Sequence, residues 1–167
     1  MQHRPTRSDK RSMSIEVEAT TLINQPRERV FAAAAGETAA LARHFRGYPP
    51  LIPGIKAAHV EGGDPPRTGA LRPVQLSDGT RIVERIVAFE VPSTHRYEMA
   101  EMNMLQKLIC TNMVSEWRFT DEGKGTRITW HYVIHVKPWR ALPGRLVAFF
   151  FQRAMQRCLD SIARELS

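Results

Sequence analysis

The sequence predicts an α+β fold in which a seven-stranded, curved antiparallel sheet wraps around one long C-terminal helix, in the order β-α-α-β6-α. Three observations support this prediction. A strand-like segment is followed at once by a Pro-initiated helix, a long run of strand-like segments separated by turn residues comes next, and an amphipathic segment closes the chain. Because a sheet that curves across a helix leaves room between the two, the fold class itself predicts a ligand cavity.

The first strand and two short helices are predicted from the N-terminal part of the chain. Residues 15–23 alternate with the period of two that is typical of a half-buried strand. Asn24 then caps a helix over residues 26–35, since proline is favoured in the first helical turn. Gly36 ends this helix, and a second helix is predicted over about residues 37–45.

Six more strands are predicted after a loop at residues 47–54, where three prolines and two glycines exclude a helix. Turn residues at 77–79, 92–93 and 121–125 separate several of these strands. Residues 102–108 are apolar without a clear period, and no element is predicted there beyond the end of the strand at residue 103. The predicted strands span residues 55–61, 69–76, 80–91, 95–103, 109–120 and 126–137.

The C-terminal helix is predicted over residues 143–166. At 100° per residue, one set of its apolar side chains falls within a stripe of about 120°, which is the face that the sheet covers. The opposite face carries arginines, and Leu146, Phe149 and Phe150 stand among them without a role in a simple sheet-on-helix arrangement. The stripe consists of Val147, Ala148, Phe151, Met155, Cys158, Leu159, Ile162 and Leu166.

Length and composition favour one compact domain. The chain has 167 residues, of which 43% are hydrophobic, and a domain of about 150 residues buries roughly 70% of its unfolded surface. We assign the domain to residues 14–167. Residues 1–13 are predicted to form a basic, disordered tail, because they are polar and carry four Lys or Arg against one Asp.

The net charge of +7 is distributed unevenly along the chain. Residues 139–167 carry five Lys or Arg against two acidic side chains, whereas residues 14–138 carry fifteen against fourteen. Proteins that bind nucleic acid usually present a basic stripe across a folded face. Because the body of this chain has no such excess, no nucleic-acid partner is predicted.

A cytoplasmic location is predicted, with no metal and no cofactor. Cys110 and Cys158 form no CxxC motif, so they indicate neither a disulfide framework nor a zinc site. The N-terminus lacks the apolar core of a signal peptide, and no stretch approaches the apolar length of a membrane span. His131 and His135 are four residues apart on a predicted strand, about 13 Å, which is too far to share one ion.

Five short patterns occur in an order typical of one superfamily. They are Ile23-Asn-Gln-Pro26 with Val30-Phe31; Gly69-Ala-Leu-Arg72; Gly79 with Ile82-Val-Glu84-Arg-Ile86; Trp117-Arg-Phe119; and Gly125-Thr-Arg-Ile-Thr-Trp130. Together, over about residues 14–166, they resemble the START, polyketide-cyclase and birch-pollen-allergen (SRPBCC) superfamily with its helix-grip fold. The resemblance implies a fold and a cavity. It implies no single activity, since members include lipid carriers, hormone receptors, coenzyme Q-binding proteins and aromatase/cyclases.

The alternation of side chains along the strands predicts which residues face the cavity. Large aromatic and methionine side chains suit an apolar or aromatic ligand, with phenol and indole edges for a few polar contacts. Each of them has the alternative role of plain core filling. The predicted ligand-binding residues are Tyr48, Arg72, Glu84, Ile86, Tyr97, Met99, Met113, Trp117, Trp130, Tyr132, Phe151 and Met155.

Glu84 is the strongest candidate for chemistry, because a carboxylate between Ile82 and Ile86 is costly to bury unless it is paired. Arg72 on the neighbouring strand is the expected partner. The pair is open to two interpretations: a structural ion pair, or a group that orients a ligand or moves protons together with Tyr97. No GxSxG, HExxH, Walker or GxGxxG motif is present, so no strong catalytic apparatus is predicted.

The aromatic and basic face of the C-terminal helix has three interpretations. Phe149 and Phe150 with Arg145 and Arg153 could make transient contact with an anionic membrane. The same surface could meet an acidic partner or a second copy in a homodimer. In the third interpretation the aromatic side chains pack beneath neighbouring loops, and only the arginines reach water.

Three functions are therefore weighed. The first is a carrier or sensor that binds a small hydrophobic molecule, such as a lipid, quinone, isoprenoid or aromatic polyketide. The second is a cyclase/dehydratase-type enzyme that uses Glu84 with Arg72 or Tyr97. The third is an interaction module that acts through its basic helix face, and it predicts a cavity filled by Trp117, Trp130 and Phe151.

Overall fold

A computed structural model describes residues 13–167. The predicted basic tail therefore lies outside the described residues, except for Met13, which already belongs to the first strand. The strands are β1 (Met13–Ile23), β2 (Ile55–Ala58), β3 (Leu71–Leu76), β4 (Arg81–Glu90), β5 (Thr94–Glu101), β6 (Cys110–Glu122) and β7 (Gly125–Val136). The helices are α1 (Arg27–Phe31), α2 (Thr38–His44), α3 (Met104–Ile109) and α4 (Ala141–Glu165), with a π-helical turn at Ala32–Gly36 and a 3-10 turn at Pro138–Arg140.

All seven strands form one antiparallel sheet in the order β1-β7-β6-β5-β4-β3-β2. Pairing between β1 and β7 is continuous from Met13 opposite Val136 to Ile23 opposite Thr126. Consecutive strands from β2 to β7 are neighbours, while β1 joins at the far side, next to β7. The curled sheet with its long terminal helix confirms the predicted α+β helix-grip fold.

The alternation predicted for the strands is confirmed most clearly in β7, where buried and half-exposed residues alternate along the whole strand. The buried set faces α4 and forms part of the main core. It comprises Thr126, Ile128, Trp130, Tyr132, Ile134 and Val136.

α4 packs against β1 and β7 through the predicted apolar stripe. Gly144 permits the close approach, because a Cβ at this position would lie 3.0 Å from Val136 Cγ1 and 3.3 Å from Ile15 Cδ1. At the other end of α4, His44 at the end of α2 lies 2.9 Å, Nδ1 to Oγ, from Ser161. The stretch after α2 therefore runs back along α4 toward its N-terminal half.

The structure corrects the sequence prediction at residues 102–108, where it contains the helix α3. Asn103 and Gln106 form a capping box: the Asn103 side chain accepts from Gln106 N at 2.9 Å, and Gln106 Oε1 accepts from Asn103 N at 3.1 Å. No residue of α3 is buried, so its sequence lacks the periodicity that marks a helix covered by a core. The predicted helix 26–35 is also interrupted, since α1 passes into the π-helical turn.

Among residues 13–167, no helix combines the length and apolar character that crossing a membrane requires.

Candidate functional site

A cavity of about 150 Å³ lies between the inner face of the sheet and the N-terminal half of α4. Its walls come from strands β2 to β7, the turn after β3, helix α2 and the loop after it, and helices α3 and α4. Most of the lining side chains are aliphatic or aromatic, and Glu84 is a carboxylate in the wall. The aliphatic part of the lining includes Leu41, Ile52, Ile55, Leu76, Ile82, Ile109, Ile134 and Val147.

Aromatic side chains form the wall of the cavity nearest α4. Phe151 approaches Tyr132 with ring centroids 4.8 Å apart, edge to face. Trp130 stacks on Trp117, with centroids 4.2 Å apart, and its indole N–H donates to Ser115 Oγ at 2.8 Å. Trp117 fills the space behind Trp130 and does not line the cavity. The aromatic packing that the interaction-module hypothesis expected is therefore present, but a void remains beside it.

A buried polar cluster lies behind Glu84. Arg72 and Glu84 sit directly opposite each other on β3 and β4. Arg72 Nε and Nη2 each lie 2.6 Å from Glu84 Oε2, which is the geometry of a charge-assisted pair. Arg72 is 1% exposed and Glu84 4%. The guanidinium also lies over the ring of Tyr97, with Cζ 4.7 Å from the centroid.

His95 completes this cluster as a neutral imidazole. Its Nε2 lies 3.2 Å from Arg72 Nη1, and a guanidinium can only donate, so Nε2 accepts and the ring proton is on Nδ1. Burial, and then the charge of Arg72, hold the pKa of His95 well below its ordinary value. His95 was not among the predicted site residues. It lies two residues before Tyr97 on β5 and so on the same inward face, and this alternation could have identified it.

Burial shifts the pKa values of the other groups at the cavity. It raises the pKa of Glu84, and the adjacent Arg72 opposes this shift. It also raises the pKa of Tyr97 and Tyr132, so both phenols are neutral hydrogen-bond donors. Burial likewise raises the pKa of the Cys110 thiol to about 11. The cavity thus presents the Glu84 carboxylate and two phenols in a mostly apolar wall, and Asp78, Asn103 and Gln106 are the other polar side chains that line it.

Both contacts from Arg72 reach the same carboxylate oxygen, Oε2. Within residues 13–167, no hydrogen bond engages Glu84 Oε1. Because Glu84 itself lines the cavity, Oε1 is the acceptor that remains for a ligand.

The mouth of the cavity lies where α3, the loop after α2 and α4 meet. Leu105, Gln106 and Ile109 of α3 line it on one side, and residues 51–53 line it on the other. Gly47, with φ +71°, shapes this loop, since a Cβ there would lie 2.2 Å from the carbonyl oxygen of Ile52. The contribution of α3 was not predicted from the sequence, because no helix was expected there.

A family model described as polyketide cyclase / dehydrase and lipid transport matches residues 14–167. The chain belongs to this family. The match and the fold together confirm the resemblance to the START, polyketide-cyclase and birch-pollen-allergen superfamily. No curated protein matches the sequence.

Solved structures with 13–14% sequence identity share the fold of this family member. Norcoclaurine synthase from Thalictrum flavum superposes with a TM-score of 0.69 at 13% identity, over 92% of this chain and 94% of that one. Ara h 8.0201 gives 0.66 at 14% identity, over 92% and 98%. Major latex-like protein 151 from Panax ginseng gives 0.56 at 14% identity, over 86% and 95%.

Seven of the twelve predicted ligand-binding residues line the cavity of this family member: Glu84, Tyr97, Met99, Met113, Trp130, Tyr132 and Phe151. The other five are placed elsewhere: Tyr48, Arg72, Ile86, Trp117 and Met155.

The five residues outside the lining have identifiable roles in packing. Tyr48 contacts Phe150, with centroids 5.1 Å apart, and lies under the guanidinium of Arg157. Ile86 belongs to a smaller core cluster with Val60 and Ala70. Arg72 is hidden behind Glu84, Trp117 behind Trp130, and Met155 is fully buried between α4 and the sheet.

His131 and His135 have separate partners on β1: Glu16 Oε2 at 3.1 Å and Ser14 Oγ at 3.2 Å. In the part of the chain that the structure describes, no group of three or more His, Cys, Asp or Glu side chains is placed to hold a metal ion.

Proposed function

We propose that the protein binds a small hydrophobic molecule in the cavity between the sheet and α4, as a carrier or sensor. The observation that carries the proposal is the apolar void of about 150 Å³. Empty cavity volume costs about 24 cal/mol per Å³, so an unfilled void of this size costs roughly 4 kcal/mol as an upper bound. A bound apolar molecule would recover part of that free energy. The family description, which includes lipid transport, agrees with this role.

The size of the cavity limits the buried part of the ligand. An apolar cavity of about 150 Å³ holds one benzene-sized ring, whereas sites for drug-sized ligands have roughly 300–1,000 Å³. A longer lipid, quinone or isoprenoid would therefore place one ring or one chain end inside, and the rest would extend through the mouth beside α3.

The polar groups in the wall indicate what the buried end carries. Glu84 Oε1 is an acceptor without a partner among the described residues, and an acceptor at the wall of an apolar cavity favours a ligand O–H or N–H over a purely apolar group. We therefore propose a ligand with one hydroxyl or N–H donor on its buried end.

Binding is tested by native mass spectrometry of the protein purified from a cellular host, and by calorimetric titration with p-cresol and toluene. We expect a co-purifying apolar molecule, and tighter binding of p-cresol than of toluene. Val147→Trp should block the lining near α4, and Val114→Trp, on a half-buried outer position of β6, is the matched control. If the wild type bound neither probe and no molecule co-purified with it, the proposal would be overturned.

A second candidate is proton transfer of the cyclase/dehydratase type, favoured by the position of Glu84. Its carboxylate lines the cavity with a raised pKa, which suits a general base acting on an acidic C–H through Oε1. Arg72 would position it, and Tyr97 would donate a hydrogen bond. One structure of norcoclaurine synthase contains dopamine and hydroxybenzaldehyde, so the fold accommodates aromatic reactants.

This second candidate is tested with phenylacetone, whose α-protons exchange in D2O when a base removes them. We expect the wild type to accelerate exchange, as followed by NMR. The double variant Glu84→Gln/Arg72→Met should abolish it without leaving a lone buried charge. Equal exchange rates for the wild type and the variant would remove Glu84 from the reaction.

A further inference from the structure

Most exposed apolar side chains of the protein lie on segments that also contribute residues to the cavity lining or directly adjoin it. Ten large hydrophobic residues are exposed among the described residues, and eight lie on α3, on the loop after α2, or at residues 139–149. The most exposed are Met104 at 86% and Leu142 at 79%. Monomeric proteins rarely leave so many large apolar groups together in water. The cluster therefore indicates an interaction surface.

We group the exposed apolar side chains of α3 and of the outer face of α4 as the mouth surface: Met104, Leu105, Leu108, Leu142, Leu146 and Phe149 with their flanking cations. Lys137, just before α4, donates from Nζ to the carbonyl of Lys107 on α3 at 2.7 Å. On the other side, Phe150 of α4 contacts Tyr48 of the loop. Leu142, Leu146 and Phe149 follow one another at helical spacing, which makes a second apolar stripe on α4 opposite the one covered by the sheet.

The charge of the mouth surface is predominantly positive. Residues 102–115 and 137–159 together contain six Lys or Arg and no Asp or Glu, and the loop at residues 45–60 adds two cations and no acid. The acidic groups at this end are Asp78, which accepts a hydrogen bond from Thr80 N, and Glu101 at the end of β5. The remaining chain is therefore close to neutral, and the cations are concentrated where the apolar side chains are exposed.

We propose that the mouth surface docks on an anionic lipid bilayer, with the cavity opening toward the acyl chains. Exposed leucine, phenylalanine and methionine side chains flanked by arginine and lysine are the composition of interfacial helices, in which the apolar groups enter the headgroup boundary and the cations meet lipid phosphates. A second copy on this surface is disfavoured, because a two-fold interface would bring the two sets of cations together. The proposal stands on the surface itself and does not depend on what the cavity binds.

The test is co-sedimentation of the full-length protein with vesicles of phosphatidylcholine alone and of phosphatidylcholine with 30% phosphatidylserine. We expect binding to the anionic vesicles only, weakened at 0.5 M NaCl. Each Arg near an anionic surface contributes about fivefold to partitioning, so Arg140→Gln/Arg145→Gln/Arg153→Gln should lower it roughly 100-fold. Leu142→Ser/Leu146→Ser/Phe149→Ser should also lower it at least tenfold.

Matched controls show whether a loss of vesicle binding is specific to this surface or follows from any loss of positive charge or exposed apolar area. Arg85→Gln/Arg96→Gln/Arg118→Gln removes the same charge from exposed positions of the sheet, and Leu22→Ser/Val91→Ser removes apolar groups exposed elsewhere. Replacing Arg4, Arg7, Lys10 and Arg11 by Gln in the full chain measures the contribution of the basic N-terminal segment. All three controls should retain most of the binding.

Two results would overturn the proposal. One is equal binding of the mouth-surface variants and their controls. The other is no binding of the wild type to the anionic vesicles. If light scattering then detects a dimer in the wild type that the Leu142→Ser/Leu146→Ser/Phe149→Ser variant lacks, the surface belongs to a second copy instead.

Discussion

Arg72 Nε lies 2.6 Å from Glu84 Oε2 at a point in the sheet where both side chains are almost completely removed from water. In such a pair the mutual attraction mainly offsets the cost of desolvating two charges, so the pair as a whole contributes little net stability. Loss of one partner is different, because it leaves the other charge buried alone. The cavity wall around Glu84 therefore depends on both residues being present.

Glu84→Gln alone should lower the free energy of unfolding by about 3–5 kcal/mol, because it leaves the Arg72 charge buried without a counterion. The double variant Arg72→Met/Glu84→Leu should be less destabilised than this single variant. Urea unfolding of both measures the difference. As a control, Arg85→Met breaks the exposed Arg85–Glu98 pair and should cost less than about 1 kcal/mol. A double variant that is destabilised more than Glu84→Gln would contradict the prediction.

Stability should fall as the pH decreases from 7 to 5, because His95 is neutral in the folded protein. Its folded pKa lies well below the ordinary value, so below about pH 6.5 the unfolded chain binds a proton that the folded protein does not. The free energy of unfolding then decreases by up to about 1.4 kcal/mol per pH unit. His44, whose pKa burial also lowers, contributes in the same direction.

His95→Asn should flatten this pH dependence, as measured by denaturant unfolding at several pH values. His59 is exposed, so His59→Asn is the control and should leave the dependence unchanged. If both variants retained the wild-type slope, His95 would not be the group responsible.

Ser115→Ala should destabilise the protein by about 1–3 kcal/mol, because it leaves the buried Trp130 indole N–H without its acceptor. The stacked Trp117 and Trp130 rings should also shift, and near-ultraviolet circular dichroism will report this. Ser14 is exposed on β1, and Ser14→Ala should change stability by less than about 0.5 kcal/mol. Equal thermal midpoints for the two variants would refute the role of the hydrogen bond.

Gly144→Ala should destabilise the protein, although alanine is favoured over glycine in a helix interior by about 1 kcal/mol. The new Cβ would lie 3.0 Å from Cγ1 of Val136, which is fully buried and β-branched and therefore cannot easily move away. Gly36→Ala, where the nearest atom would be 3.6 Å away, should be neutral or stabilising. Chemical unfolding of both variants gives the comparison, and a stabilised Gly144→Ala would show that the helix can retreat from the sheet.

The sequence by itself determined the sheet, the terminal helix and the inward face of the strands. The alternation along β7 and the stripe on α4 are local periodic signals, because burial against a core imposes the same choice at every second strand position or every helical turn. The pairing of Arg72 with Glu84 also followed from the sequence, since a carboxylate on a buried strand face requires a cation on the neighbouring strand.

Only the tertiary structure decided where the empty space lies. Trp117 and Met155 face inward as predicted but are covered by other side chains, and no local pattern distinguishes a side chain that lines a void from one that fills it. The helix α3 was not predicted from the sequence, for the opposite reason. Met104, Leu105 and Leu108 are exposed at the mouth, where no core imposes a period, so the contribution of α3 to the site became visible only when the chain was folded.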